Sequence, residues 1–256
     1  MASKQITSIE DVIRNSLREK FFNYQPESSN MPFHYRLLGK DRMVLYSFIQ
    51  SLNTTFGTSI FEPIAVALAS LKYKEAKKQA VAGNKISEEA HKIIQTIMDG
   101  IITGPTPPNK EKEIEAIRKV CQKGKMNLVK PTKVDVFVQS NDDSIFLFDI
   151  KTVKPNIGNF KEFKRTLLEW IATVLAENPN AIVNTLIAIP YNPYEPKPYE
   201  RWTMKGILDI DSELKVANEF WDFLGGEGSY SELLNCFERV GIELRPEIDQ
   251  YFSKFK

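Results

Sequence analysis

Histidine and cysteine are nearly absent from this chain of 256 residues, which has two of each: His34, His91, Cys121 and Cys236. So few, so far apart, they offer no Cys/His spacing for zinc. They also exclude a disulfide scaffold, and free thiols fit a reducing cytoplasm. No run approaches the roughly 18 apolar residues of a membrane span, and the opening Met-Ala-Ser-Lys-Gln-Ile-Thr lacks a signal peptide's apolar stretch. The reading is therefore an intracellular soluble protein. No glycine-rich loop of the Walker or dinucleotide type occurs, which disfavours an NTPase or a nicotinamide enzyme. His34 has no neighbouring nucleophile-base pair. Repeats, low-complexity tracts and flexible linkers are missing as well. Net charge is almost absent, since 34 basic and 33 acidic residues leave +1.

What charge there is lies segregated. Residues 110–165 hold 13 basic and 8 acidic side chains, a net +5, whereas 206–256 hold 5 and 11, a net −6. A polyanion would prefer the middle of the chain. At roughly 100 to 200 residues per domain, the length fits one domain, 1–256. It divides into a mainly helical N-terminal region (1–109), a core (110–202) and a helical C-terminal region (203–256).

Apolar periodicity predicts helices over 9–22, 41–52, 61–73 and 87–98, with a break at 53–59 and firm punctuation at Gly104-Pro-Thr-Pro-Pro108. A charged helix from Lys110 to about Cys121 comes next. The period then changes to two. Lys133 to Val138, a polar turn over 140–144, and Ile145 to Thr152 read as two strands of a hairpin. An amphipathic helix (160–176), a buried strand (183–189), a proline- and tyrosine-rich loop (190–202) and helices near 214–223 and 231–240 complete the chain. Strand, strand, helix, strand predicts an α/β fold: a mixed β-sheet flanked by helices, with a helical N-terminal region.

The hairpin carries the chemistry. Asp135 lies on its first strand, and Asp149 and Lys151 share one face of its second. A three-residue loop centred on Asp142 sets paired positions to sum to 284, which puts Asp135 directly across from Asp149, with Cβ atoms roughly 4.5 to 5.5 Å apart. Like charges facing each other within apolar strands call for compensation. A divalent metal is the economical one. Two carboxylates with the Ile150 carbonyl form a hard oxygen site that leaves room for water and phosphate, as Mg²⁺ prefers. Lys151 would orient or deprotonate the attacking water. Against this stands the plain alternative that an Asp-x-Lys is a solvated strand face or a salt bridge.

These residues resemble a known superfamily. Pro131 with Val134-Asp135, followed fourteen residues later by Asp149-Ile150-Lys151, is similar to the PD-(D/E)xK nuclease motif, with the proline displaced from its usual place before the first Asp. Three further segments, Phe33 to Arg42, Asn53 to Pro63 and Ile189 to Pro198, make nearly the whole chain similar to TdeIII-type type II restriction endonucleases. The resemblance implies a restriction-endonuclease-like core and a homodimeric, Mg²⁺-dependent enzyme cutting both strands of double-stranded DNA at a short palindrome, with GGNCC as the family's target. It implies that cleavage leaves a 5′-phosphate and a 3′-hydroxyl. It also implies metal ligands at Asp135 and Asp149 and a catalytic lysine at Lys151.

Other residues keep two readings. Glu62, in Ile60-Phe-Glu-Pro63, is either a further active-site acid or a charge favouring a helix N-terminus. Thr152 and Lys154 either reach the scissile phosphate or end a solvated strand. Lys161, Lys164 and Arg165 crowd a helix start, where a DNA phosphate would offset the unfavourable dipole, or they form a solvated face. Lys197 and Arg201 either read guanine in the major groove or belong to a loop covering a sheet edge. Asn53-Thr54-Thr55 contacts phosphates or caps a helix. Two other functions stay open: a non-catalytic DNA-binding or structural protein on a nuclease-like core, and a structure-selective repair nuclease.

Overall fold

The computed structural model describes residues 3–25, 31–130, 133–151, 159–199 and 202–254. The first third is helical, as the periodicity predicts: α1 (Ser3–Asn23), α2 (Pro32–Leu38), α3 (Lys40–Thr55), a π-helical turn (Phe56–Phe61) and α4 (Glu62–Ala69). The expected break at 53–59 is instead that π turn. The Glu62 N–H reaches back to Gly57 O, one residue further than in an α-helix. Pro63 has no N–H to give Ser59 O, and the Ser16 hydroxyl donates to that oxygen at 2.9 Å. A proline inside continuous helix is thereby accommodated, and α1 is tied to the turn that carries Glu62.

β1 (Glu75–Val81) and β2 (Lys85–Ser87) follow, where no strand was expected. Glu-Ala-Lys-Lys-Gln-Ala favours helix by local propensity, and pairing along β4 overrides it. Then come α5 (Glu88–Ile102), α6 (Lys110–Arg118), β3 (Met126–Leu128), β4 (Lys133–Gln139), β5 (Ile145–Ile150), α7 (Phe160–Glu177) and β6 (Val183–Ile189). The chain closes with α8 (Trp202–Lys205), α9 (Ile210–Glu213), β7 (Leu214–Val216), α10 (Asn218–Gly225), α11 (Ser229–Glu243) and α12 (Arg245–Ser253). Side-chain caps start α5 and α6: Ser87 accepts from Ala90 N–H and Asn109 from Lys112 N–H. The helix expected from residue 214 begins at 218, because 214–216 add a parallel strand beside β6.

The main sheet runs β1-β4-β5-β6-β7, antiparallel across the first two junctions and parallel across the last two; β2 and β3 form a separate pair. The mixed sheet read from the pattern is therefore present. The hairpin register is also as expected: Val136↔Phe148, Phe137↔Leu147, Val138↔Phe146 and Gln139↔Ile145. Asp143, at φ 64, supplies the left-handed residue of its loop.

Both faces of the sheet are covered. Leu147, Ile187 and Ile189 pack with α5 and α7, while Phe148, Leu186 and Ala188 pack with α1, α4, α10 and α11. Each fully buried large apolar side chain contributes roughly 1.5 to 3 kcal/mol. These two layers fix the ends of β4 and β5 against α4 on one side and α7 on the other, which is what positions the site.

Candidate active site

The β4–β5 ladder ends at Val136↔Phe148, and its next step sets Asp135 across from Asp149. There a carboxylate replaces the ladder: Asp135 Oδ2 accepts from the Ile150 N–H at 2.8 Å. On the other edge of β5 the sheet continues, with Lys151 N–H donating to Ala188 O at 2.9 Å. The backbone on either side of Asp149 is thus held by two neighbouring strands.

Asp149 is 7% exposed. Lys151 Nζ lies 2.6 Å from its Oδ1 and 4.7 Å from the centre of the Phe163 ring of α7, so the ammonium has an anion and an aromatic face. Burial pushes the Asp149 carboxyl up to about 6 against the pull of Lys151, and the charge of Asp135 and a hydrogen bond with it push the same way. Two carboxylates this close resist ionising together.

Glu62 enters from α4, at 2% exposure. Burial raises its carboxyl first, a hydrogen bond from Gln79 opposes this, and the charge of Asp135 raises it further. Its alternative role at a bare helix N-terminus is overturned, because Phe61 before it is already helical. Gln79 connects the acids: its Nε2 donates to Glu62 Oε2 at 2.8 Å and stands 3.5 Å from Asp135 Oδ1. Gln79 was not legible in the sequence, since the strand carrying it was not.

The donor set suits a hard cation at Asp135, Asp149 and the Ile150 carbonyl, with a negative excess that Lys151 alone does not cancel. Glu62 stands back from the pair, and no three acidic, histidine or cysteine side chains among the described residues converge into a metal site by themselves.

A cavity of about 690 Å³ opens at this end of the sheet. Asn53, Thr54 and Phe56, the strand-end residues Ile150 and Lys151, and Pro190, Tyr191 and Pro193 line it. The last turn of α3, where a break was expected, and the expected loop after β6 therefore line one cleft with Lys151. The loop is anchored where Trp221 Nε1 donates to Pro190 O at 2.8 Å.

The basic residues divide. Lys161 and Lys197 are exposed. Arg165 is half-buried and donates to Gln95 Oε1 at 2.8 Å. Lys164 corrects the expectation of a DNA-facing cluster: it is fully buried, with Nζ 2.5 Å from Glu113 Oε2 and 2.7 Å from Glu213 Oε2. Its place on α7 turns it inward toward α6 and α9, and no DNA reaches it. Glu213 also holds Lys110 Nζ at 2.8 Å. Pro131, Thr152, Lys154 and Arg201 lie outside the described residues.

With this geometry in place, comparison with known proteins gives a consistent result. Residues 1–241 match the family model described as "Type II restriction endonuclease, HinfI". The chain belongs to the HinfI family of type II restriction endonucleases. It is similar to the type II restriction enzyme MjaII of Methanocaldococcus jannaschii, 29% identical over 251 residues, which cover 88% of this chain and 65% of MjaII. It is similar also to HgiCII and HgiEI of Herpetosiphon aurantiacus, at 26% and 28% identity, over 85% and 86% of this chain and 80% of each relative. The chain thus spans slightly less than two thirds of MjaII and four fifths of the other two. The sequence placed the likeness with TdeIII-type enzymes; the matching family model is that of HinfI. Among the described residues, no helix is long and apolar enough to cross a membrane.

Proposed function

We propose that this member of the HinfI family is a Mg²⁺-dependent type II endonuclease. It hydrolyses both strands of double-stranded DNA at a short palindrome, GGNCC being the target that the sequence resemblance implies. The observation carrying this reading is the end of the β4–β5 hairpin, where Asp135 bonds the Ile150 N–H and Asp149 pairs with Lys151, which with Ile150 lines a cleft, in a chain of that family.

Asp135, Asp149 and the Ile150 carbonyl would hold the ion, which supplies positive charge to the scissile phosphate and acidifies water. The chain's own groups do the rest. Lys151, fixed by Asp149 and the Phe163 ring, orients the attacking water and offers its charge to the phosphoryl oxygens. Water oxygen bonds to phosphorus, the P–O3′ bond breaks, and the water's proton passes to the 3′ oxygen through solvent. The products are a 5′-phosphate and a 3′-hydroxyl. Lys161, Arg165 and Lys197, with Lys154 and Arg201, are proposed to contact the DNA.

A cytoplasmic homodimer is part of this reading. Both cysteines are free and buried. Phe22, Phe33 and Leu37 are 82 to 90% exposed, and Leu45 and Ile49 are exposed on the α3 helix that ends at the cleft. A second copy of the chain covering that apolar face would set two centres on one palindrome.

The test is incubation of the pure protein with unmethylated phage DNA in Mg²⁺ and in EDTA, with sequencing of fragment ends and sedimentation of the same preparation. Discrete fragments with one palindromic end sequence, in Mg²⁺ alone, from a dimer, are expected. A smear would transfer the assignment to a structure-selective nuclease, and intact DNA at every dose to a binding-only protein.

A further inference from the structure

We infer that Gln79 is a positioning residue of this centre: its amide links Glu62 to Asp135 and so orients the hairpin's first acid from behind. The inference rests on the nuclease reading above and adds to it the residue that holds Asp135 and Glu62 in place.

Four observations carry it. The amide stands between two carboxylates of different elements, 2.8 Å from Glu62 Oε2 on α4 and 3.5 Å from Asp135 Oδ1 on β4. Its strand position is the one opposite Asp135, since Lys78↔Val136 and Ala80↔Val134 pair on either side of it. At that one step the ladder has no pair, and Gln79 adopts φ 53, a left-handed backbone that is strained for a glutamine. Local strain held in place at a point of contact between acids is the mark of a geometry imposed by the surrounding fold.

The chemistry of the side chain is the fourth. A carboxamide NH₂ has two hydrogens and no charge, so it can bond both carboxylates while leaving their negative charge for a cation. A lysine there would cancel that charge. Lys77 and Lys78 immediately precede it, yet the neutral amide is the group that faces the acids. Partners that orient ligating carboxylates from behind set affinity strongly, typically by 10 to 100-fold.

The experiment uses the full-length protein without DNA, titrated calorimetrically with Ca²⁺, beside steady-state cleavage in Mg²⁺. Gln79→Met keeps length and loses both donors; Gln79→Asn tolerates the left-handed backbone but is one carbon too short to span the acids. Each is expected to weaken Ca²⁺ binding by about 10 to 100-fold and to lower kcat with KM for DNA unchanged. In a Glu62→Gln background, adding Gln79→Asn should cause no further loss, because the two act as one unit. Wild-type Ca²⁺ affinity in a folded Gln79→Asn, or losses that multiply with Glu62→Gln, would overturn the inference while leaving the nuclease reading intact. A wild type that neither binds Ca²⁺ nor cuts DNA would overturn both.

Discussion

Asp149→Asn is expected to abolish cleavage, by more than about 10³-fold, while DNA affinity stays within a few-fold and the protein becomes more stable at pH 8. The two effects have one cause. Burial and Asp135 lift the Asp149 carboxyl from 3.8 to about 6 against the pull of Lys151, so the folded protein binds that proton more tightly than the unfolded chain does. The stabilisation from proton binding is complete below about 4 and disappears as pH rises through about 6. Above that, an ionised Asp149 costs the metal-free protein about 3 kcal/mol, which the neutral amide of asparagine avoids. The gain in Tm should therefore be full at pH 8 and vanish toward pH 4. Lys151 and Asp135 are the charged groups acting on it, and neither reverses the sign. Denaturation of both proteins across this range, with EDTA present, checks it. Equal stability at pH 8 would mean that the Asp149 carboxylate is not held at a cost, and with it would fall the argument that the site is built for a cation.

Lys164→Met is expected to act in the opposite way, lowering stability and sparing chemistry. Lys164 sits between Glu113 and Glu213 with no exposure, and Lys110 holds the other oxygen of Glu213, with Thr185 Oγ1 2.5 Å from the same ammonium. Burial alone would raise Glu213, and the charges of the two lysines overcome it and hold the carboxyl below its ordinary value. Removing one lysine leaves a buried carboxylate short of a partner, a loss of roughly 3 to 5 kcal/mol, or a Tm lower by roughly 6 to 20 °C in a chain of this size. The deficit should be largest at neutral pH and shrink on acidification, since a depressed carboxyl loses its contribution as pH falls. Below its new Tm, the variant should bind and cut DNA as the wild type does. Normal thermal stability with weakened DNA binding would return Lys164 to the DNA-facing surface.

How much of this was legible in the sequence depended on whether a signal was local. Period-two alternation and a short polar turn located the β4–β5 hairpin, and simple register arithmetic put Asp135 opposite Asp149. The α7 amphipathic stripe and the apolar β6 run were equally plain. β1 was hidden because Glu75 to Val81 is poor in apolar residues and earns its strand state from pairing with β4, a long-range fact. Gln79 was hidden with it. Lys164 misled for a similar reason: a basic triplet at a helix start looks like a polar surface, and its partners Glu113 and Glu213 are 51 and 49 residues away. Glu62 was nominated through the resemblance, whose superfamily often draws a further acid from an N-terminal helix, and its burial on α4 was not legible. Nor was the π turn that embeds it in continuous helix, since Asn-Thr-Thr-Phe-Gly reads as a breaker until Ser16 is seen satisfying Ser59 O.

Whether the hairpin acids hold the divalent ion is decided by the anomalous difference map of crystals grown with Mn²⁺. A peak within ligand distance of Asp135, Asp149 and the Ile150 carbonyl is expected, and its loss in Asp149→Asn. A map with no peak there, from protein that cuts DNA in Mn²⁺, or a peak ligated by other residues, would contradict metal binding by the hairpin acids.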